Sequence, residues 1–168
     1  MDIRAEKTED FAAIRQVNVA AFGRVNEADL VDNLRKASQF FSFVAVEDGQ
    51  VVGHIFFSPV SVDGDCTLTS PILGLAPLAV LPNYQKRLIG SSLVQYSVKE
   101  IEGLGFSAVV VLGHPEYYPR FGFVPAKQKG LTCEYPVPDD VFMVLEMQSG
   151  ALQSCTGTVK YSPEFIHL

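Results

Sequence analysis

Apolar positions recur at helical spacing in three stretches of this chain, and elsewhere they alternate or run together. Phe11, Ile14, Val17 and Ala21, with Phe22 alongside, mark one face of a first helix. Thr8, followed by Glu9 and Asp10, stands where an N-cap and an acidic first turn belong. Leu30, Val31 and Leu34 mark a second helix starting near Asn26. Val94, Val98, Ile101 and Leu104 mark a third, which ends at Gly103 or Gly105. Ile3–Ala5, Ser42–Val46, Gln50–Val62, Leu68–Leu81, Ala108–Leu112, Val141–Met147 and Thr156–Tyr161 read as strands. Asp48-Gly49 predicts a tight hairpin turn, and Asp63-Gly64 predicts a second. The β-branched run through Ala108–Leu112 suits a strand buried on both faces. A short helix is predicted around Glu116–Arg120.

The strands come first in hairpins, then in one strand–helix–strand unit, then in a further group. That order predicts an α/β (α+β) fold: a mixed, mostly antiparallel central sheet with helices on both faces. At 168 residues the chain reads as one domain, residues 1–168, long enough to bury a core. Hydrophobic residues make up 48% and charged residues 19%, a globular balance. No uninterrupted apolar run approaches the roughly 18 residues that span a membrane. The chain opens with Asp2, Arg4 and Glu6 and no apolar leader, so a cytoplasmic location is expected. Cys66, Cys133 and Cys155 form no C-x-x-C pair and read as reduced thiols. The net charge is −6, and no run of Lys or Arg tracks a phosphate backbone, which argues against nucleic acid as a partner. An acidic surface suits a cationic substrate such as an amine.

The stretch from Leu75 to Leu93 carries the strongest chemical signal. It reads as an apolar strand, a Pro82-Asn83 turn, a basic loop through Gln85, Lys86, Arg87 and Leu88, then a helix opened by Ile89, Gly90 and Ser91. The N–H groups of a first helical turn have no acceptor within the helix, and the helix dipole adds positive potential there. Phosphate is the default guest of such a place. Lys86 and Arg87 add charge that suits a diphosphate.

The loop resembles the acetyl-CoA pyrophosphate loop of the GNAT acetyltransferases, Q/R-x-x-G-x-G/A. Gln85 and Gly90 match its ends, and Leu88 stands in place of its first glycine. Downstream, Tyr118-Pro-Arg-Phe-Gly122-Phe123 is similar to a second signature of that family, Y-x-x-x-G-F. The surrounding residues, Leu112 to Pro125 and Tyr135 to Asp139, resemble its YhbS-like branch. The resemblance covers nearly the whole chain.

It implies a GNAT-like fold in which two parallel strands splay, here Leu75–Leu81 and Ala108–Leu112, with acetyl-CoA as co-substrate between them. It implies that Gln85, Lys86, Arg87, Leu88, Ile89, Gly90 and Ser91 hold the pyrophosphate. Leu78, Ala79 and Val80 would then face the pantetheine arm, with the N–H of Leu78 or Val80 steadying the thioester oxygen. Tyr118 would protonate the departing CoA thiolate, with Tyr117 as its substitute if the register shifts. Leu88 matters because leucine resists the positive φ that glycine adopts freely. With a negative φ it still supplies the N–H that the position needs, so two outcomes stand open: a site that survives with weaker affinity, or one that is closed.

An attacking amine must also lose a proton, and here His114, Glu116, His54 and Glu47 are the candidates. His114 follows the central strand, where ligands of open sheets gather. The expected activity is acetyl transfer to a primary amine by direct attack, with no acyl-enzyme. Two rival readings are a non-catalytic acyl-CoA sensor and a scaffold acting through protein contacts. Homodimers are common in the family. His54, His114 and His167 show no metal-ligand spacing. Gly103-Leu-Gly105-Phe-Ser-Ala108 fits a dinucleotide pattern by letter but leaves a helix for a strand, the reverse of the required order.

Overall fold

Each of the seven predicted strands and three predicted helices has a counterpart, and two short strands join them. The computed structural model describes all residues 1–168. In chain order the elements are β1 (Asp2–Ala5), α1 (Phe11–Phe22), α2 (Asn26–Ala37), β2 (Phe41–Glu47), β3 (Gln50–Cys66), β4 (Ile72–Val80) and α3 (Ile89–Glu102). After these come β5 (Ala108–Leu112), β6 (Val124–Pro125), β7 (Leu131–Cys133), β8 (Phe142–Glu146) and β9 (Cys155–Lys160). The chain divides into two compact units. The first is Met1–Ser58, Ala76–Glu100 and Pro163–Leu168; the second is Pro59–Leu75 and Ile101–Ser162.

In the first unit, β1 pairs antiparallel with β2, and β2 with the first half of β3. The β2–β3 turn forms at Asp48-Gly49, both residues at positive φ (51° and 77°), as a two-residue hairpin demands. Helices cover both faces of β3. Its residues alternate in direction, so neighbours report opposite faces. His54 meets Asn18 of α1. A Cβ on the adjacent Gly53 would lie 3.0 Å from Leu93 Cδ1 and 3.1 Å from Ile89 Cγ2 of α3. Only glycine lets α3 settle that closely. On the α3 side, Phe43 meets Tyr96 edge-on, with ring centroids 5.7 Å apart.

At the start of α1 the capping differs from the prediction. Thr8–Asp10 forms a 3-10 turn, and the Lys7 N–H donates to Asp10 Oδ2 at 2.7 Å. Asp10 rather than Thr8 is the acceptor, because Arg4 grips its carboxylate at 2.7 and 3.0 Å and fixes it there.

In the second unit, Ile72–Gly74 of β4 pairs parallel with Ala108–Val110 of β5. β5 then pairs antiparallel with β8, and β8 with β6. Ile72, Val110, Leu131, Phe142, Val144 and Val159 anchor its apolar core. The predicted hairpin at Asp63-Gly64 is absent. β3 runs through these residues to Cys66 and pairs antiparallel with β9, which pairs parallel with β7. Gly64 faces Gly157 across that ladder, and a Cβ on Gly64 would come within 2.7 Å of Gly157 Cα. The glycine is there for close backbone approach, which in sequence looks the same as a turn. The expected Leu68–Leu81 strand is shortened to Ile72–Val80, and the helix around Glu116–Arg120 is a single 3-10 turn at Tyr118–Phe121.

The thiols are also corrected. Cys66 and Cys155 are register partners in the β3–β9 ladder and form a disulfide, leaving Cys133 free. Their separation of 89 residues hid the pairing, which the sheet register alone creates. No helix is long and apolar enough to cross a membrane.

Candidate active site

The end of β4 delivers the basic loop. Leu81 N–H donates to Val52 O at 2.9 Å, fixing the strand end against β3. A 3-10 turn over Pro82–Tyr84 follows, and Gln85 Nε2 reaches back to Val80 O at 3.0 Å. This bond closes the turn and aims the chain at α3. Leu78 and Val80 are half-buried, and Ala79 between them is buried.

Lys86 and Leu88 then both take the left-handed conformation, with φ of 63° and 65°. Leu88 thus adopts the geometry that the family pattern reserves for glycine. Its side chain is 70% exposed, so it does not fill the loop's interior. The conformation costs roughly 1–2 kcal/mol for a non-glycine residue. Strain of this kind persists where the surroundings over-determine the backbone, and it clusters at functional sites. Ser92 N–H donates to Leu88 O at 2.9 Å, so the helix begins directly after the strained residue. The first-turn N–H groups at Ile89 and Gly90 stand at the positive end of the α3 dipole.

The two loop cations differ. Arg87 lies 3.7 Å from Glu47 and places its guanidinium 5.0 Å from the Tyr84 ring centroid. Lys86 forms no ion pair. Tyr84 and Glu47 as neighbours of Arg87 were not foreseen. Tyr84 sits in the Pro-Asn-Tyr turn, and Glu47 closes a hairpin far back in sequence.

The second unit holds Tyr118 and His114. Tyr118 is only 7% exposed, and Tyr117 and Phe123 meet its ring edge-on at 5.1 and 5.5 Å. The ring also occupies the space where Gly113 lacks a Cβ, which would come within 2.8 Å of Tyr118 Cδ2. Nothing in the sequence around Gly113, between Leu112 and His114, marks this contact. Burial pushes the Tyr118 phenol well above its usual pKa, which keeps the hydroxyl protonated at neutral pH. His114 is exposed, and its carbonyl accepts from the N–H groups of Tyr117 and Tyr118 at 3.1 and 3.4 Å. Glu116 is exposed as well.

His54 is fully buried, and desolvation, helped by the Arg35 charge, lowers its pKa to about 3. So weak a base cannot take a proton from an amine at neutral pH. The second unit also holds a cavity of about 90 Å³, lined by Leu131, Cys133, Tyr135, Val137 and Phe142 together with the exposed Lys127–Asp139 pair. Burial raises the Cys133 pKa, so its thiol is not an activated nucleophile. No cluster of metal-ligating side chains forms.

A sequence profile described as the acetyltransferase (GNAT) family matches residues 9–123. The chain is 40% identical over 154 residues to the uncharacterized N-acetyltransferase YjhQ of Escherichia coli K12, covering 89% of this chain and 84% of that one. It is 36% identical to YhbS of the same strain over 167 residues, 98% of each. A crystal structure of E. coli YhbS in complex with CoA superposes with a TM-score of 0.90, over 98% of this chain and 91% of that one. A GNAT family acetyltransferase from Brucella melitensis in complex with acetyl-CoA gives 0.78 at 34% identity, over 98% and 97% of the two chains.

Proposed function

The chain belongs to the acetyltransferase (GNAT) family, and from that premise we propose that it moves an acetyl group from acetyl-CoA to a primary amine. The observation that carries this reading is the loop before α3. Lys86 and Leu88 both take the left-handed conformation that glycine adopts freely, and the Leu88 side chain, which stands in place of the pattern's first glycine, is exposed. The relatives crystallised with CoA and acetyl-CoA support the same ligand here.

In this reading Gln85, Lys86, Arg87, Leu88, Ile89, Gly90 and Ser91 hold the pyrophosphate through backbone N–H groups and the two cations. Leu78, Ala79 and Val80 line the pantetheine arm, and an N–H of Leu78 or Val80 takes the charge that builds on the thioester oxygen. The amine nitrogen bonds to the carbonyl carbon, and the carbon–sulfur bond breaks. Tyr118 gives its phenolic proton to the departing thiolate and recovers one from solvent. His114, the exposed candidate base, takes the proton that the amine sheds. No activated Cys or Ser offers a covalent alternative.

Cytoplasmic residence is part of the same proposal, although the Cys66–Cys155 bond removes reduced thiols as a reason for it. The non-catalytic sensor remains the second reading, but Leu88 no longer motivates it, because the residue keeps the loop's geometry.

The experiment is calorimetric titration of acetyl-CoA, followed by a thiol-release assay with a panel of amines. Micromolar binding with amine-dependent thiol release is expected. Binding without release from any amine would favour the sensor. No binding would overturn both readings.

A further inference from the structure

Arg87 is held at two points before any anion reaches it. Its guanidinium stands 3.7 Å from Glu47 Oε2 and 5.0 Å from the face of Tyr84. Neither position is accidental. Glu47 is the last residue of β2, fixed by its pairing with Gln50 around the Asp48-Gly49 turn. Arg87 lies between two left-handed residues, Lys86 and Leu88. Lys86, its neighbour, has no carboxylate to answer to.

We infer that Glu47 sets the affinity of the anion loop by competing with the incoming phosphate for Arg87. The inference rests on the proposed use of this loop for the CoA pyrophosphate. At 3.7 Å the pair is a Coulombic contact and not a hydrogen bond, so it parts at small cost. A phosphate offers the guanidinium two parallel hydrogen bonds and replaces the carboxylate. Glu47 then stays behind, one-third exposed and without its cation, beside the arriving negative charge. Each of these steps weakens binding. Glu47 therefore acts on binding only through Arg87, and it touches no reacting atom.

The test compares CoA with pantetheine, which lacks the phosphates, by calorimetry on the whole chain. Glu47→Gln keeps the shape and removes the charge. It should tighten CoA binding roughly two- to fivefold, the range of an exposed ion pair, and leave pantetheine unchanged. Arg87→Gln should weaken CoA binding. In an Arg87→Gln background, Glu47→Gln should have no further effect, because the competition has lost its object. Unchanged or weaker CoA binding by Glu47→Gln overturns the inference. Equal tightening with and without Arg87 overturns it too, since the carboxylate would then act as a distant charge. If neither wild type nor Glu47→Gln binds CoA, the loop's proposed ligand fails and the inference falls with it.

Discussion

His54 Nε2 lies 2.8 Å from Ser42 Oγ, and both groups are buried. The donors decide the proton positions. Asn18 Nδ2 donates to Ile14 O at 3.0 Å and reaches His54 Nδ1 at 3.1 Å, so Nδ1 accepts. Nε2 then carries the hydrogen and donates to Ser42. The Ser42 hydroxyl donates in turn to Glu6, whose carboxylate Arg35 grips at 2.8 and 2.9 Å. The polarity is opposite to that of a nucleophilic serine, and the chain of bonds ties β2 and β3 to α1 and α2. His54→Ala should cost about 2–4 kcal/mol, because it opens a cavity and strands buried polar partners.

That cost depends on pH with a definite sign. The folded pKa of His54 is lowered from 6.5 to about 3. Between those values the unfolded chain binds a proton that the folded chain refuses, so wild-type stability falls with falling pH. His54→Gln has no such proton. Its stability deficit against wild type should shrink by up to ~1.4 kcal/mol per pH unit below about pH 6. Denaturant titrations at pH 7, 6 and 5 measure this. A deficit independent of pH would show that His54 is not held neutral.

Leu88→Gly should stabilise the protein by about 0.5–1 kcal/mol. It relieves the left-handed strain at φ 65° and gives back part of the gain as backbone entropy. Thermal denaturation reads the difference. A destabilised variant would mean that the exposed leucine makes contacts worth more than the strain.

Tyr118→Phe should lower turnover about a hundredfold while the KM for acetyl-CoA changes little, because only the proton donor is lost. Gly113→Ala should also lower turnover, since its Cβ pushes against the Tyr118 ring. Full activity in the Phe variant would remove Tyr118 from the mechanism.

Under denaturing conditions without reductant, one thiol per chain should titrate, and three after reduction. Cys155→Ser should cost about 2–4 kcal/mol. Three thiols in the unreduced protein would refute the bond.

The helices, the β2–β3 hairpin and the basic loop that joins β4 to α3 are legible because each rests on local periodicity or on turn chemistry within a few residues. The loop's geometry is not. Nothing in Lys86-Arg87-Leu88 marks two left-handed residues, and the context imposes them. The bonds among Glu6, Asn18, Arg35, Ser42 and His54 join five separate segments, so no window contains them. Gly64 reads as a turn in sequence because turns and close backbone contacts call for the same residue. β6 and β7 span two and three residues, too few to show alternation.

The boundary between the two units falls inside β3, between Ser58 and Pro59, inside β4, between Leu75 and Ala76, and inside α3, between Glu100 and Ile101. The unit bearing the Gln85–Gly90 loop is therefore assembled from three separated pieces of chain. One of them, residues 163–168, follows everything in the other unit. Through the His167 carbonyl it accepts a hydrogen bond from Asn26, the first residue of α2. No single cut can release either unit whole. During synthesis the Gln85–Gly90 loop therefore emerges long before the last piece of its own unit, residues 163–168.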